Sequence, residues 1–146
     1  MVLGWCLAAL VLSCAAARAG EMLIKPEEAA LPPSSGAPKV PSVTRGITRG
    51  PDLAVVSPKK PVQSPIHFQL AFEAHGGSKI NLDSFKLIYL KDPLVDLTPR
   101  VRPYVTARGL EMTGAEAPPG EHILEAKISD SDGRQYSITF VLNIIN

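Results

Sequence analysis

Between Glu121 and Ile144, apolar and polar side chains alternate. Tyr136, Ile138, Phe140, Leu142 and Ile144 are apolar, Gln135, Ser137, Thr139 and Asn143 between them are polar, and Val141 alone breaks the pattern. Successive side chains leave a strand on opposite sides, so a period of two describes one buried face and one wet face. The run His122 to Ile128 is the partner strand, and Asp130-Ser131-Asp132-Gly133 is the turn between them. Aspartate oxygens cap backbone amides in such turns and glycine takes positive φ. A second clean alternation sets Ile66, Phe68, Leu70 and Phe72 against His67, Gln69, Ala71 and Glu73.

Weaker signals fill the rest. Leu53 to Val56 reads as a short first strand stopped by Ser57-Pro58, and Pro58, Pro61 and Pro65 mark an edge, because proline cannot donate to a central ladder. Gly76-Gly77 turns the chain into a third strand, Phe85 to Leu90, with Phe85, Leu87 and Tyr89 inward. Asp92 to Arg108 is irregular. Thr98-Pro99 offers an N-cap and a first-turn proline for one short helical turn over Pro99–Pro103, which Pro103 ends. Leu110-Glu111-Met112 adds a short strand, and Pro118-Pro119-Gly120 turns into the last hairpin. Repeated strands with turns between them and no long amphipathic helix specify an all-β fold. The expected architecture is an antiparallel β-sandwich of about seven strands over residues 52–146.

Two segments precede that domain. Val2 to Leu12 is nearly all apolar and Ala17-Arg18-Ala19 places small residues at both positions a signal peptidase reads, so residues 1–19 are expected to be a signal peptide cleaved before Gly20. The run is shorter than the ~20 residues that span a bilayer. No Lys or Arg precedes it, and the alternatives are a retained anchor or a lipoprotein, since Val11-Leu12-Ser13-Cys14 resembles a lipobox ending at Cys14. Both cysteines, Cys6 and Cys14, lie in this segment, so the mature domain relies on its core without disulfides. The expected location is periplasmic or secreted, with membrane attachment only through an uncleaved signal or a lipid on Cys14. Residues 20–51 carry Pro26, Pro32, Pro33, Pro38, Pro41 and Pro51 among small and polar residues, and are expected to be a disordered, extended tether.

Charge narrows the function. Without Arg18, the 15 Lys and Arg become 14, which balance 14 Asp and Glu. A nucleic-acid binder shows a basic surplus, so none is expected as partner. The basic residues Lys39, Arg45, Arg49, Lys59 and Lys60 precede an acidic C-terminal half with Glu111, Glu116, Glu121, Glu125, Asp130 and Asp132.

The closing segment also carries a resemblance. Pro119-Gly120-Glu121-His122-Ile123-Leu124, then Ile128-Ser129-Asp130-Ser131-Asp132-Gly133-Arg134 and an alternating strand, is similar to the end of bacterial immunoglobulin-like domains. Ser78 to Leu87 is similar to the segment entering the third strand of that family. The resemblance covers roughly Pro65 to Ile144, in a single copy, and lacks a Cys…Trp…Cys core. It implies an immunoglobulin-like sandwich presented outside the cytoplasm for protein contact, and it carries no catalytic residues.

Candidate chemistry is sparse. Asp130 and Asp132 supply two carboxylates at a bend, well short of the six to eight oxygens calcium takes, so turn formation competes with metal binding there. His67 is expected to face solvent, His75 precedes a glycine turn and His122 begins a strand, and none has zinc-ligand spacing to another. No G-x-S-x-G nucleophile motif occurs. Within residues 52–146 the aromatics fall on inward positions except Tyr104, which sits among Arg100, Arg102 and Arg108. Tyr and Arg are enriched at binding hot spots, so this cluster is the expected contact site. The expectation is a non-catalytic, exported structural or protein-binding module of the bacterial envelope, without a cofactor and with an envelope protein as partner. A calcium- or carbohydrate-binding module is the alternative, and a small hydrolase the third.

Overall fold

The alternating segments become the long strands of two sheets. A computed structural model describes residues 20–37, 42–44 and 50–146. Along the chain run β1 (Glu21–Met22), α1 (Pro26–Ala29), β2 (Ser42–Thr44), β3 (Asp52–Ser57), β4 (Val62–Gln63), β5 (Ile66–Glu73), β6 (Ile80–Tyr89) and β7 (Val95–Asp96). They are followed by α2 (Thr98–Val101), a 3₁₀ turn (Arg102–Tyr104), β8 (Val105–Thr106), β9 (Gly109–Glu116), β10 (Gly120–Asp130) and β11 (Gln135–Ile145). The first sheet has the order β1-β9-β5-β3, with β8 also on β9. The second has the order β2-β11-β10-β6-β7, with β4 also on β11. The protein is an all-β sandwich.

The hairpin forms as its pattern dictates. β10 and β11 pair in unbroken register from Gly120 opposite Ile144 to Ser129 opposite Gln135. Tyr136, Ile138, Phe140, Leu142 and Ile144 are buried, as are Leu124, Ala126 and Ile128 across from them. At the turn, Gly133 takes φ +78°, and the amides of Asp132 and Arg134 donate to Asp130 Oδ1 at 3.0 and 2.9 Å. Val141 stays on the outer, half-buried face, so the one break in the pattern does not shift the register. Thr139 departs from expectation: it is buried on that face, where β2 pairs across β11 at Ser42.

Aromatic pairs join the sheets. Phe68 of β5 stacks on Phe140 of β11 with ring centroids 6.1 Å apart, and Phe72 of β5 meets Phe85 of β6 at 5.2 Å. Offset and tilted contacts of this kind add ~0.5–1.5 kcal/mol beyond the area they bury.

Three features differ from the sequence reading. Short strands raise the number: β1, β2, β4, β7 and β8 span only two or three residues each, too short for a period to show, and β1 and β4 pair in parallel. The helical turn is present from Thr98, continued by the 3₁₀ turn to Tyr104, but Leu97 is its N-cap. Thr98 is instead buried, its hydroxyl accepting from the Leu87 amide at 3.0 Å.

The third difference concerns the tether expected over residues 20–51. Residues 20–37 are instead an arm folded onto the sandwich. Leu23 and Ile24 are fully buried in the core, and their amides donate to the Glu116 carbonyl at 2.8 and 3.2 Å. Burying two such side chains stabilises by ~1.5–3 kcal/mol each, and the polar anchors along the arm add to this against the entropy of ordering it. Farther along, the Asp92 amide donates to Pro32 O at 2.9 Å and the Ser34 amide to Leu90 O at 3.2 Å. The expected signal peptide at 1–19 and the tether positions 38–41 and 45–49 lie outside the described residues.

Candidate functional site

The irregular segment between β7 and β9 supplies the four residues expected to form a contact site. α2 and the 3₁₀ turn place Arg100, Arg102 and Tyr104 along one stretch of backbone, and Arg108 follows β8. Arg100 points into the arm. Its guanidinium donates to both carboxylate oxygens of Glu28, at 2.7 and 2.5 Å, and to the Leu23 carbonyl at 2.9 Å. The bidentate pairing holds the Glu28 carboxyl below its usual range against the opposing effect of burial, and raises Arg100 in turn. The Tyr104 hydroxyl donates to the Glu21 carboxylate of β1, and that bond raises the phenol's pKa. Arg102 donates to the Leu82 carbonyl of β6 at 2.9 Å. The Arg108 side chain is exposed.

The expected cluster is thus an interface, occupied in part by the chain's own arm. Arg100 and Tyr104 are engaged by Glu28 and Glu21, Arg102 is exposed but donates to the Leu82 carbonyl, and Arg108 is exposed. The sequence reading expected an external partner at this cluster; the structure turns Arg100 and Tyr104 onto residues 20–37, which read as tether.

The Asp130 turn is likewise committed internally. Asp130 is buried, with Oδ1 accepting the two turn amides and Oδ2 3.4 Å from Arg134 Nε. Burial pushes its carboxyl up, but the amides of Arg134 and Asp132 and the Arg134 charge together outweigh that and hold it low. Asp132 pairs with the same guanidinium. Two carboxylates tied to amides and an arginine make a braced turn. Among the described residues, no group of three or more His, Cys, Asp and Glu could hold a metal ion.

The histidines fall into two kinds. His67 lies 3.1 Å from Glu111 and His75 lies 2.9 Å from Asp52, pairs in which all four side chains keep much of their contact with water. Water screens such pairs, which contribute ~0–1 kcal/mol. His122, read from the sequence only as the start of a strand, is buried. Its Nε2 donates to the Pro118 carbonyl at 2.8 Å, so Nδ1 is the acceptor for the Tyr89 hydroxyl, also at 2.8 Å. Burial depresses the His122 pKa, and the Lys91 charge adds to this against the opposing Pro118 carbonyl. Tyr89 is pushed up to about 12 by burial, helped by the negative charge of Glu28. Lys91 completes the cluster, 5.3 Å from the Tyr89 ring centroid and donating to the carbonyls of Ala29 and Leu31 at 2.9 Å each. Every polar atom of this Tyr–His pair is engaged within the protein, so the cluster acts as a brace between the arm, β6 and β10. The signal for it was parity: His122 shares its face of β10 with Leu124, Ala126 and Ile128.

A second candidate contact lies at a sheet edge. β3 is the outermost strand of its sheet and pairs only with β5 among the described strands. Ala54 and Val56 are exposed along it. A bulge between Val55 and Ser57, followed by Pro58, closes its far end. Compared with known proteins, the chain matches no family model, no curated protein and no solved structure.

Proposed function

We propose that the chain is an exported, non-catalytic sandwich module of the bacterial envelope that binds a protein partner by strand addition along β3. The observation that carries this reading is that β3, among the described strands, pairs only with β5. The backbone amides and carbonyls of β3 that do not pair with β5 are available to a strand laid beside it, and the exposed side chains of Ala54 and Val56 supply the contact face. The immunoglobulin-like resemblance of the C-terminal half and the Ala17-Arg18-Ala19 leader pattern support the same reading. A non-catalytic role is supported by the internal use of the buried Tyr89–His122 pair and by the solvent-facing position of the other two histidines.

Photo-crosslinking in the native envelope tests the proposal. A crosslinker at Ala54 or Val56 should capture a discrete envelope protein, whereas one at Lys127, exposed on the opposite sheet, should not. Equal capture from both sheets, or none from β3, contradicts the proposal.

A further inference from the structure

The first described residue lies in an unusually confined place. β1 sets Glu21 beside Ala115 and Met22 beside Glu116 in parallel register on β9. Gly20 precedes it, and a Cβ on Gly20 would fall 2.5 Å from Glu116 Oε1 and 2.6 Å from the Gly114 carbonyl oxygen. No side chain fits there without displacing backbone. The nitrogen of a residue lies about 2.5 Å from its Cβ, from the standard bond lengths at a tetrahedral carbon. The Gly20 nitrogen is therefore within about 5 Å of the Glu116 carboxylate oxygen. That carboxylate is half-buried and, among the described residues, makes no hydrogen bond or ion pair of its own. A half-buried carboxylate lying against a glycine, with a carbonyl beside it, has the composition of a receptor for an ammonium group.

The sequence supplies that group. Gly20 follows Ala17-Arg18-Ala19, the small-residue pattern at which leader cleavage is proposed above. We propose that Glu116 and the Gly114 carbonyl form a binding site for the α-amine created at Gly20 when the leader is removed, so that processing completes the docking of the arm. This rests on the exported reading. In the cleavage itself, a signal peptidase and water break the Ala19–Gly20 amide bond. The Ala19 carbonyl carbon takes the hydroxyl and leaves as a carboxylate, and the Gly20 nitrogen takes hydrogen and becomes an ammonium at neutral pH. Before cleavage that nitrogen carries one N–H and no charge. Afterwards it carries three donors and a positive charge, suited to a carboxylate and a carbonyl together. Leu23 and Ile24, the buried residues of the arm, lie only three and four positions downstream. The latch thus acts directly on the segment that closes the sandwich.

Two measurements separate the latch from the leader reading. Intact mass of the exported protein should correspond to a chain beginning at Gly20. A lipid on Cys14 or a retained leader overturns both readings together. The latch is tested by thermal melting of chains beginning at Gly20 and at Ala19, each with and without Glu116→Gln. The Ala19 start keeps the net charge but moves the ammonium one residue away. The Gly20 start should melt about 2–4 °C higher when Glu116 is present, and the difference should vanish in the Glu116→Gln pair. Equal melting of the two starts with Glu116 in place, or an equal difference in both pairs, overturns the latch and leaves the leader reading standing.

Discussion

The C-terminal hairpin and the N-terminal arm hold the same sandwich together by different means. β10 and β11 bury every second side chain over ten paired positions, and each stabilising contact repeats the one before it. The arm makes one deep insertion, Leu23-Ile24, and then a set of single polar anchors: Glu28 to Arg100, Lys91 to the Ala29 and Leu31 carbonyls, and Tyr104 to Glu21. Between its polar anchors, His122 near one end and Asp130 at the turn, the hairpin is therefore sensitive chiefly to loss of core volume. The arm should respond to both. A repeating pattern builds stability locally, whereas an arm borrows it from residues some seventy positions away in the chain.

Truncation of the core gives the largest expected effects and the plainest way to break this contrast. Phe140→Ala removes a ring that stacks on Phe68 and should cost ~3–5 kcal/mol in denaturant unfolding. Leu23→Ala should cost ~2–5 kcal/mol, because Leu23 is as buried as any residue of the hairpin. A cost near zero for Leu23→Ala, with Phe140→Ala behaving as stated, would restore the tether and remove the arm from the fold.

Arg100→Met sharpens the contrast at the next level. It keeps much of the side-chain volume but leaves the Glu28 carboxylate without its bidentate partner, and should cost ~1.5–3 kcal/mol, since hydrogen bonds to charged groups fall in that range. No comparable cost should attach to Lys127→Met on the outer face of the hairpin, where the pair with Glu125 is more exposed.

The brace between the regions should show in the pH dependence. Burial lowers the His122 pKa, so the folded protein keeps this side chain neutral where the unfolded chain, at ~6.5, takes up a proton. Its contribution is whole above that unfolded value and is lost as pH falls below it, at up to ~1.4 kcal/mol per pH unit until the folded pKa is reached. Glu28 and Asp130, both held low in the folded state, add a second loss further into acid as their own folded pKa values are crossed. His122→Gln should flatten stability below about pH 6.5 relative to the parent, in a window that opens at the unfolded histidine's value. An unchanged slope would remove His122 from the account. The smallest effect belongs to Arg108→Ala, which should stay within ~0.5 kcal/mol because its side chain is exposed.

Legibility in the sequence followed the same division. Ile66 to Phe72 and Tyr136 to Ile144 announced their buried faces because burial there repeats every two residues. Leu23-Ile24 is a single adjacent pair set among prolines, and no period exists to read. Glu28 and Arg100 are complementary, but nothing local brings them together; the sandwich must form first. His122 was legible by its parity with Leu124 and Ala126, yet its position at a strand start masked it. Asp130 and Gly133 were read correctly as turn chemistry because the constraint that selects them lies within five residues. The arginine and tyrosine cluster was read as a site for an external partner, and the internal use of Arg100 and Tyr104 escaped because Glu28 and Glu21 lie in the arm.

Hydrogen exchange of the Leu23 and Ile24 amides tests the central claim most directly, since both donate to the Glu116 carbonyl at the junction of arm and sandwich. If the arm is part of the fold, these two amides exchange with protection approaching that of Leu124 and Phe140 in the hairpin. Exchange at the rate of an unstructured chain, with the hairpin still protected, would contradict it.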